Sequence, residues 1–200
     1  IIIHGGYGMD VIFIRHGETS ENKGGIYGSP DTSLSKRGKE QIHRASKLLK
    51  DISFDVVYIS PLKRTIETSN ILGLEGILEP RVKEINFGIF EGKTYEEIKR
   101  DYLEETDAWT NDYINYRIPK GESLMDLYER TSNFLEEVVE EDRDVIVVTH
   151  EGVIKCALCW VFDSVEHFYR FKVDNGSITT ITINDGYKYI VWKNLGKGVI

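Results

Sequence analysis

Two histidines and two arginines carry most of the chemistry open to this sequence: Arg15-His16-Gly17-Glu18, Ser60-Pro61 followed by Arg64, and His150-Glu151-Gly152. A guanidinium is a planar fork that matches phosphate oxygens, and helix N-termini add backbone donors, so such a set makes an anion site. At about 4 Å and an effective dielectric near 20, one cation there contributes on the order of 4 kcal/mol before desolvation is counted. A neutral imidazole is nucleophilic and can carry a transferred group, which suits two-step phosphoryl transfer. His16, in a tight turn where Gly17 lets the backbone approach a ligand, takes the nucleophile's role. Arg15, Arg64 and His150 would hold the equatorial oxygens of the transition state. The leaving alcohol needs a proton. Glu84, in Arg81-Val-Lys-Glu-Ile-Asn-Phe-Gly88, is the candidate acid, because a phosphate drives a neighbouring carboxyl toward its protonated form.

These groups meet only if the elements between them bring them together. Val11-Ile-Phe-Ile14, Val56-Val-Tyr-Ile59 and Val145-Ile-Val-Val148 are short apolar runs of the kind found in strands buried on both faces. Each leads directly into one of the polar groups above. Ser35 predicts the cap of a helix with Ile42, Ala45, Leu48 and Leu49 at helical spacing, and Ser60 with Pro61 predicts a helix starting at the strand end. Thr94-x-x-Glu97 is a capping box, Ser123 opens a helix carrying Leu127, Thr131, Phe134, Leu135 and Val138, and Val153 to Phe162 reads as a buried helix. Ser177 to Ile183, Asn184-Asp-Gly186 and Tyr187 to Trp192 have the alternation and turn of a β-hairpin. The pattern predicts an α/β three-layer sandwich, a mainly parallel sheet with helices on both faces and antiparallel strands at one edge. Ligands of such sheets bind beyond the carboxyl ends of the strands, which gathers the three polar groups into one pocket.

Phe13-Ile-Arg-His-Gly-Glu-Thr19 with Asn22, Ser60-Pro-Leu-Lys-Arg64-Thr-x-x-Thr68, Glu84 to Gly92 and Val148-Thr-His150 together resemble the histidine phosphatase superfamily, the phosphoglycerate-mutase-like enzymes. The similarity runs in order from Met9 to about Ile183. It implies a phosphohistidine on His16, a phosphate pocket of Arg15, Arg64 and His150, and neither metal nor cofactor. Phe87 to Ile98, Trp109 and Ile118 to Leu124 resemble most the α-ribazole-phosphate phosphatases, implying hydrolysis of α-ribazole 5′-phosphate to α-ribazole and phosphate. A broad-specificity phosphatase, a phosphoglycerate mutase and a non-catalytic phospho-ligand binding module are the alternatives. Glu151 departs from the pattern, since those phosphatases usually have glycine after the second histidine. Its backbone N–H is expected to face the ligand while its side chain points outward. Asn22, Glu122 and Ser123 are candidate phosphate or substrate contacts, with capping the simpler account of Ser123. Tyr27 and Trp109 suit either stacking on a benzimidazole or core packing.

Singly, each of these side chains also has a bland account: a strand-end arginine or histidine is commonly an ion pair or a satisfied polar group, and Glu84 has Arg81 and Lys83 beside it. The 200 residues are 40% hydrophobic, and no linker divides them, so one domain over 9–200 is expected, after a leader at 1–8 ahead of Met9. With 25 basic and 33 acidic side chains the net charge is −8, which argues against nucleic-acid or anionic-membrane partners and leaves a small phosphomonoester. No apolar run is long enough to span a bilayer, and with two cysteines a cytoplasmic setting is expected. Cys156 and Cys159 lie inside an apolar helix, where packing explains them better than redox or metal chemistry. His43 and His167 have no ligand-spaced partner, and His4 lies in the leader. The chain is expected to be a monomer, or a homodimer paired through the Tyr187 to Trp192 strand.

Overall fold

The computed structural model describes residues 8–29 and 31–195; the expected leader, apart from Gly8, lies outside them. In chain order the elements are β1 (Met9–Arg15), α1 (Ser20–Gly24), α2 (Lys36–Leu48), β2 (Val56–Ile59), α3 (Lys63–Leu72), β3 (Ile77–Leu78), α4 (Tyr95–Asp101), α5 (Leu103–Asn111), α6 (Leu124–Glu141), β4 (Val145–Thr149), α7 (Glu151–Val161), β5 (Ile178–Asn184) and β6 (Tyr187–Leu195). They form one six-stranded sheet in the order β3-β2-β4-β1-β5-β6. The first four strands in that order are parallel, and β5 and β6 add antiparallel pairing at one edge. This is the expected mixed α/β sheet. The turn between β5 and β6 places Asp185 and Gly186 at φ of 50° and 78°, the left-handed pair a two-residue hairpin requires.

Both faces of the central strands β1 and β4 are dry. Val11, Phe13, Val145 and Val147 pack with α6 and α7, while Ile12, Ile14, Ile146 and Val148 face the other way with Leu48 of α2 and Leu72 of α3. The period of two in β1 and β4 thus serves two cores at once. The Cys156 and Cys159 thiols are buried in α7 and free of any disulfide. Burial pushes both upward, Cys159 to about 12, so neither is a thiolate near neutral pH.

One expectation is corrected. The helix after β2 starts at Lys63 with Leu62 as its uncapped entry, because the Ser60 hydroxyl is engaged elsewhere. The Thr94 capping box is present and opens α4, which ends at Tyr102, where α5 begins. These helices and the loops around them close a third apolar cluster, in which buried Phe90, Ile98 and Ile118 are ringed by Tyr27, Phe87, Tyr102 and Trp109.

Candidate active site

Register alone brings the strand-end residues together. Arg15 pairs with Thr149 and Ile59 with Val148, so His16, Ser60 and His150 leave three adjacent strands at one level. Their backbones are stitched there: His16 N–H donates to Thr149 O at 3.0 Å and Ser60 N–H to Val148 O at 3.0 Å. The His16 and His150 rings lie 5.2 Å apart, centroid to centroid. His16 Nδ1 is 2.7 Å from Gly17 O. Since a carbonyl only accepts, Nδ1 carries the hydrogen and Nε2 the lone pair. His16 and His150 are 2% and 0% exposed, and burial, reinforced by Arg64, holds both well below the ordinary imidazole range, so both rings are neutral. His150 is also the N-cap residue of α7.

The cations stand beside them. Arg15, at the end of β1, donates to Val173 O, and Arg64, on the first turn of α3, donates to Ser29 O at 2.9 Å. They share a cleft of about 320 Å³ with His16, Glu84, Glu151 and Lys155. Arg15 Nε and His150 Nδ1 are buried polar atoms with no hydrogen-bond partner among the described residues. Buried donors without acceptors are costly, and a phosphate dianion brings only acceptors.

Glu84 enters from a turn with no regular structure. Its carboxylate accepts N–H bonds from Ile85 at 3.0 Å and from Gly152, on α7, at 3.3 Å. A methyl group at Gly152 would overlap that carboxylate and push it aside. Arg81 pairs with Glu79 and Glu137 and so leaves Glu84 free of the ion pair its neighbours suggested. The turn is held by Arg130 of α6, which donates to Glu84 O at 3.1 Å, Arg81 O at 2.5 Å and Glu122 at 2.9 Å. Glu122 in turn accepts from Asn86 N–H at 2.9 Å. Glu122 therefore braces the turn that carries Glu84, and Ser123 caps α6 in a box with Asp126.

Two further expectations change. Glu151 does not point away: its carboxylate bridges Arg15 Nη1 at 2.8 Å and Lys155 Nζ at 2.6 Å and lines the cleft. An uncompensated guanidinium and ammonium draw it inward, and the one-turn spacing to Lys155 allows it. Gly17 is needed for packing, because a side chain there would strike the Gly38 backbone at the start of α2. Asn22, exposed at the rim, lines the same cleft as Arg15, His16 and Arg64, while its amide oxygen caps α1 through Thr19 N–H at 3.4 Å and accepts from Asn175 Nδ2 at 3.3 Å.

Aromatic rings close the rest of the cleft: Tyr27, Phe87, Trp109, Phe168 and Tyr169. Tyr27 meets Phe87 and Trp109 edge-on at 4.7 and 5.8 Å, so it both packs and lines. Burial, with Tyr169, Tyr95 and Glu96 nearby, pushes its phenol up to about 12, so it stays protonated. His43 is exposed and His167 packs against Phe162.

Sequence reasoning missed Arg130 and Lys155 as parts of this assembly, and it placed Ser60 at the strand ends without its bond to His150. Arg130 had a signal: it lies three residues after Leu127 and four before Phe134, on the buried stripe of α6, where an unpaired arginine would be costly.

A neutral imidazole flanked by two guanidiniums, opposite a carboxyl, is the site of an enzyme class that moves phosphoryl groups. The chain belongs to the histidine phosphatase superfamily (branch 1), whose family model matches residues 11–196. It is 33% identical over 195 residues to phosphoserine phosphatase 1 of Hydrogenobacter thermophilus, covering 94% of this chain and 92% of that one. It is 30% identical over 187 residues to the adenosylcobalamin/alpha-ribazole phosphatase of Escherichia coli, covering 90% and 92%. The alpha-ribazole phosphatase structure from Shigella flexneri superposes with a TM-score of 0.87 at 29% identity, over 94% of this chain and 97% of that one. The chain spans about a third, 32%, of the longer 6-phosphofructo-2-kinase/fructose-2,6-bisphosphatase 1 of Rattus norvegicus. Among the described residues no helix is long and apolar enough to cross a membrane.

Proposed function

We propose that the protein hydrolyses phosphomonoesters through a phosphohistidine on His16, without a metal, and that its substrate is α-ribazole 5′-phosphate. The observation that carries the mechanism is the Nδ1 hydrogen bond to Gly17 O, which leaves Nε2 as a free lone pair next to Arg15 and Arg64. Nε2 forms a bond to phosphorus as the ester P–O bond breaks, and the leaving oxygen takes the proton of the Glu84 carboxyl. Water then attacks the phosphohistidine and gives a proton to the Glu84 carboxylate. The N–P bond returns its electrons to His16, and inorganic phosphate leaves. Arg15 and Arg64 spread the negative charge in both steps, with Glu151 shifting from Arg15 onto Lys155 as the phosphoryl group enters.

The five rings on the cleft wall support an aromatic leaving group, as does the likeness to the two alpha-ribazole phosphatases. A second reading has its own observation: Glu151 and Lys155 place opposite charges at the cleft, a match for the ammonium and carboxylate of phosphoserine, and one relative is a phosphoserine phosphatase. Turnover ratios decide between them. A panel of α-ribazole phosphate, phosphoserine, 3-phosphoglycerate, sugar phosphates and phosphopeptides, assayed in excess chelator, is expected to give the highest kcat/KM on α-ribazole phosphate. Phosphoserine ahead would favour the second reading, and isomerised phosphoglycerate would favour a mutase. Phosphate bound without any turnover would make the chain a binding module.

A further inference from the structure

We propose that Ser60 sets the tautomer of His150: the serine hydroxyl donates to Nε2, so the ring carries its hydrogen on Nδ1 and offers that N–H to a phosphoryl oxygen. The proposal rests on reading the cleft as a phosphate site and makes Ser60 a positioning residue for it.

Ser60 Oγ lies 2.7 Å from His150 Nε2, and both residues are fully buried. The hydrogen in that bond belongs to one partner or the other, and the surroundings distinguish the two cases. The Leu62 N–H approaches Ser60 Oγ from its other side at 3.5 Å, so Oγ already faces a donor there. If Nε2 carried the hydrogen, Oγ would accept twice, and its own proton would have no acceptor. The Nδ1 lone pair would be orphaned as well, leaving two buried polar groups without partners. If Oγ donates to Nε2, every hydrogen in the cluster is placed except one, the N–H on Nδ1. That arrangement leaves a single buried donor near Arg15, whose Nε is the other unpartnered polar atom of the site. Two orphaned donors in one place are the complement of a ligand that carries only acceptors.

The bond also explains why Ser60 does not cap α3. Thr65 Oγ1 takes the backbone carbonyl of Ser60 at 2.8 Å, so the turn into α3 is tied without the serine side chain. Ser60→Ala therefore removes the bond to His150 while keeping that tie. His16 is held by a separate bond, to Gly17 O, and serves as the internal control.

The experiment is long-range ¹H–¹⁵N correlation spectroscopy on protein labelled at histidine, without ligand and with orthovanadate, the His150 signals being those lost in His150→Gln. The expected result is a protonated Nδ1 and a bare Nε2 in the free protein, a shift of Nδ1 when vanadate binds, loss of this single tautomer in Ser60→Ala, and vanadate affinity about tenfold weaker in that variant, the scale of one hydrogen bond to a charged acceptor. A protonated Nε2 in the free protein overturns the proposal, as does an unchanged tautomer and affinity in Ser60→Ala. Vanadate that binds without moving Nδ1 removes His150 as its donor and leaves the phosphate site standing. Vanadate that fails to bind the unmodified protein removes the phosphate site, and this proposal with it.

Discussion

One side of the cleft stands on strand ends and the other on turns. Arg15, His16 and Ser60 are fixed by backbone bonds to neighbouring chain segments, His150 directly follows β4, and all four are buried almost completely. Glu84, Phe87 and Trp109 stand on turns and a short helix, held by the Arg130 clamp and by the cluster around Phe90. A sheet fixes positions through bonds that every residue has, so its geometry survives most side-chain changes. A clamp depends on a few particular side chains. The comparison teaches that the strand-end wall depends little on particular side chains, while the wall of Glu84 and the aromatic rings depends on side chains that lie far from it.

The largest effect separating the two walls is expected in Glu84→Gln. The variant should lose about 10²- to 10⁴-fold in kcat on alkyl phosphates and much less on p-nitrophenyl phosphate, whose leaving group needs no proton. An equal loss on both would remove Glu84 as the acid. Next is Phe90→Ala, a ring that is 0% exposed, which should destabilise by about 3–5 kcal/mol in chemical denaturation. A loss well under 1 kcal/mol would show that the third cluster is loosely packed. Arg130→Met should lower kcat about tenfold with inorganic phosphate affinity unchanged, because it loosens the acid's turn and leaves the strand ends alone. A fall in phosphate affinity instead would couple the two walls.

The strand-end wall was largely legible from sequence. Three apolar runs, each ending in a histidine, a serine or an arginine–histidine pair, have little freedom once they form one sheet, since register and strand direction determine what lies at their ends. The turn-based wall was not legible. Glu84 was placed by its chemistry, but nothing local in Arg81 to Gly88 encodes the clamp from Arg130, which is 46 residues away. The side chain of Glu151 was misplaced for a related reason. Its direction depends on Arg15 and Lys155, and burial of those cations outweighs the carboxylate's preference for water. Ser60 looked like a helix cap because that is its commonest local use, and a distant histidine claims it.

Smaller effects sharpen the picture of the strand ends. Glu151→Gln should tighten inhibition by inorganic phosphate about three- to tenfold, since it frees Arg15 from its resident carboxylate, a pair partly exposed and worth roughly 1 kcal/mol. Unchanged inhibition would mean that phosphate does not meet Arg15. The pH dependence follows from the two buried histidines, whose folded pKa lies below the unfolded value of 6.5. The unfolded chain binds more protons there, so their contribution to stability is complete above pH 6.5 and lost as pH falls below it toward the folded values. Denaturation midpoints should decline through that window, and His16→Ala and His150→Gln should each flatten the decline. By the same shift the acid limb of kcat/KM set by His16 should lie below 6.5.

The central claim is that His16 Nε2 takes the phosphoryl group. Rapid alkaline quenching of the enzyme during turnover of a ³²P-labelled phosphomonoester, followed by peptide mapping, tests it most directly. The account predicts one acid-labile, alkali-stable label on the peptide containing His16, absent from His16→Ala. A label that survives acid, a label on another peptide, or full turnover by His16→Ala would contradict it.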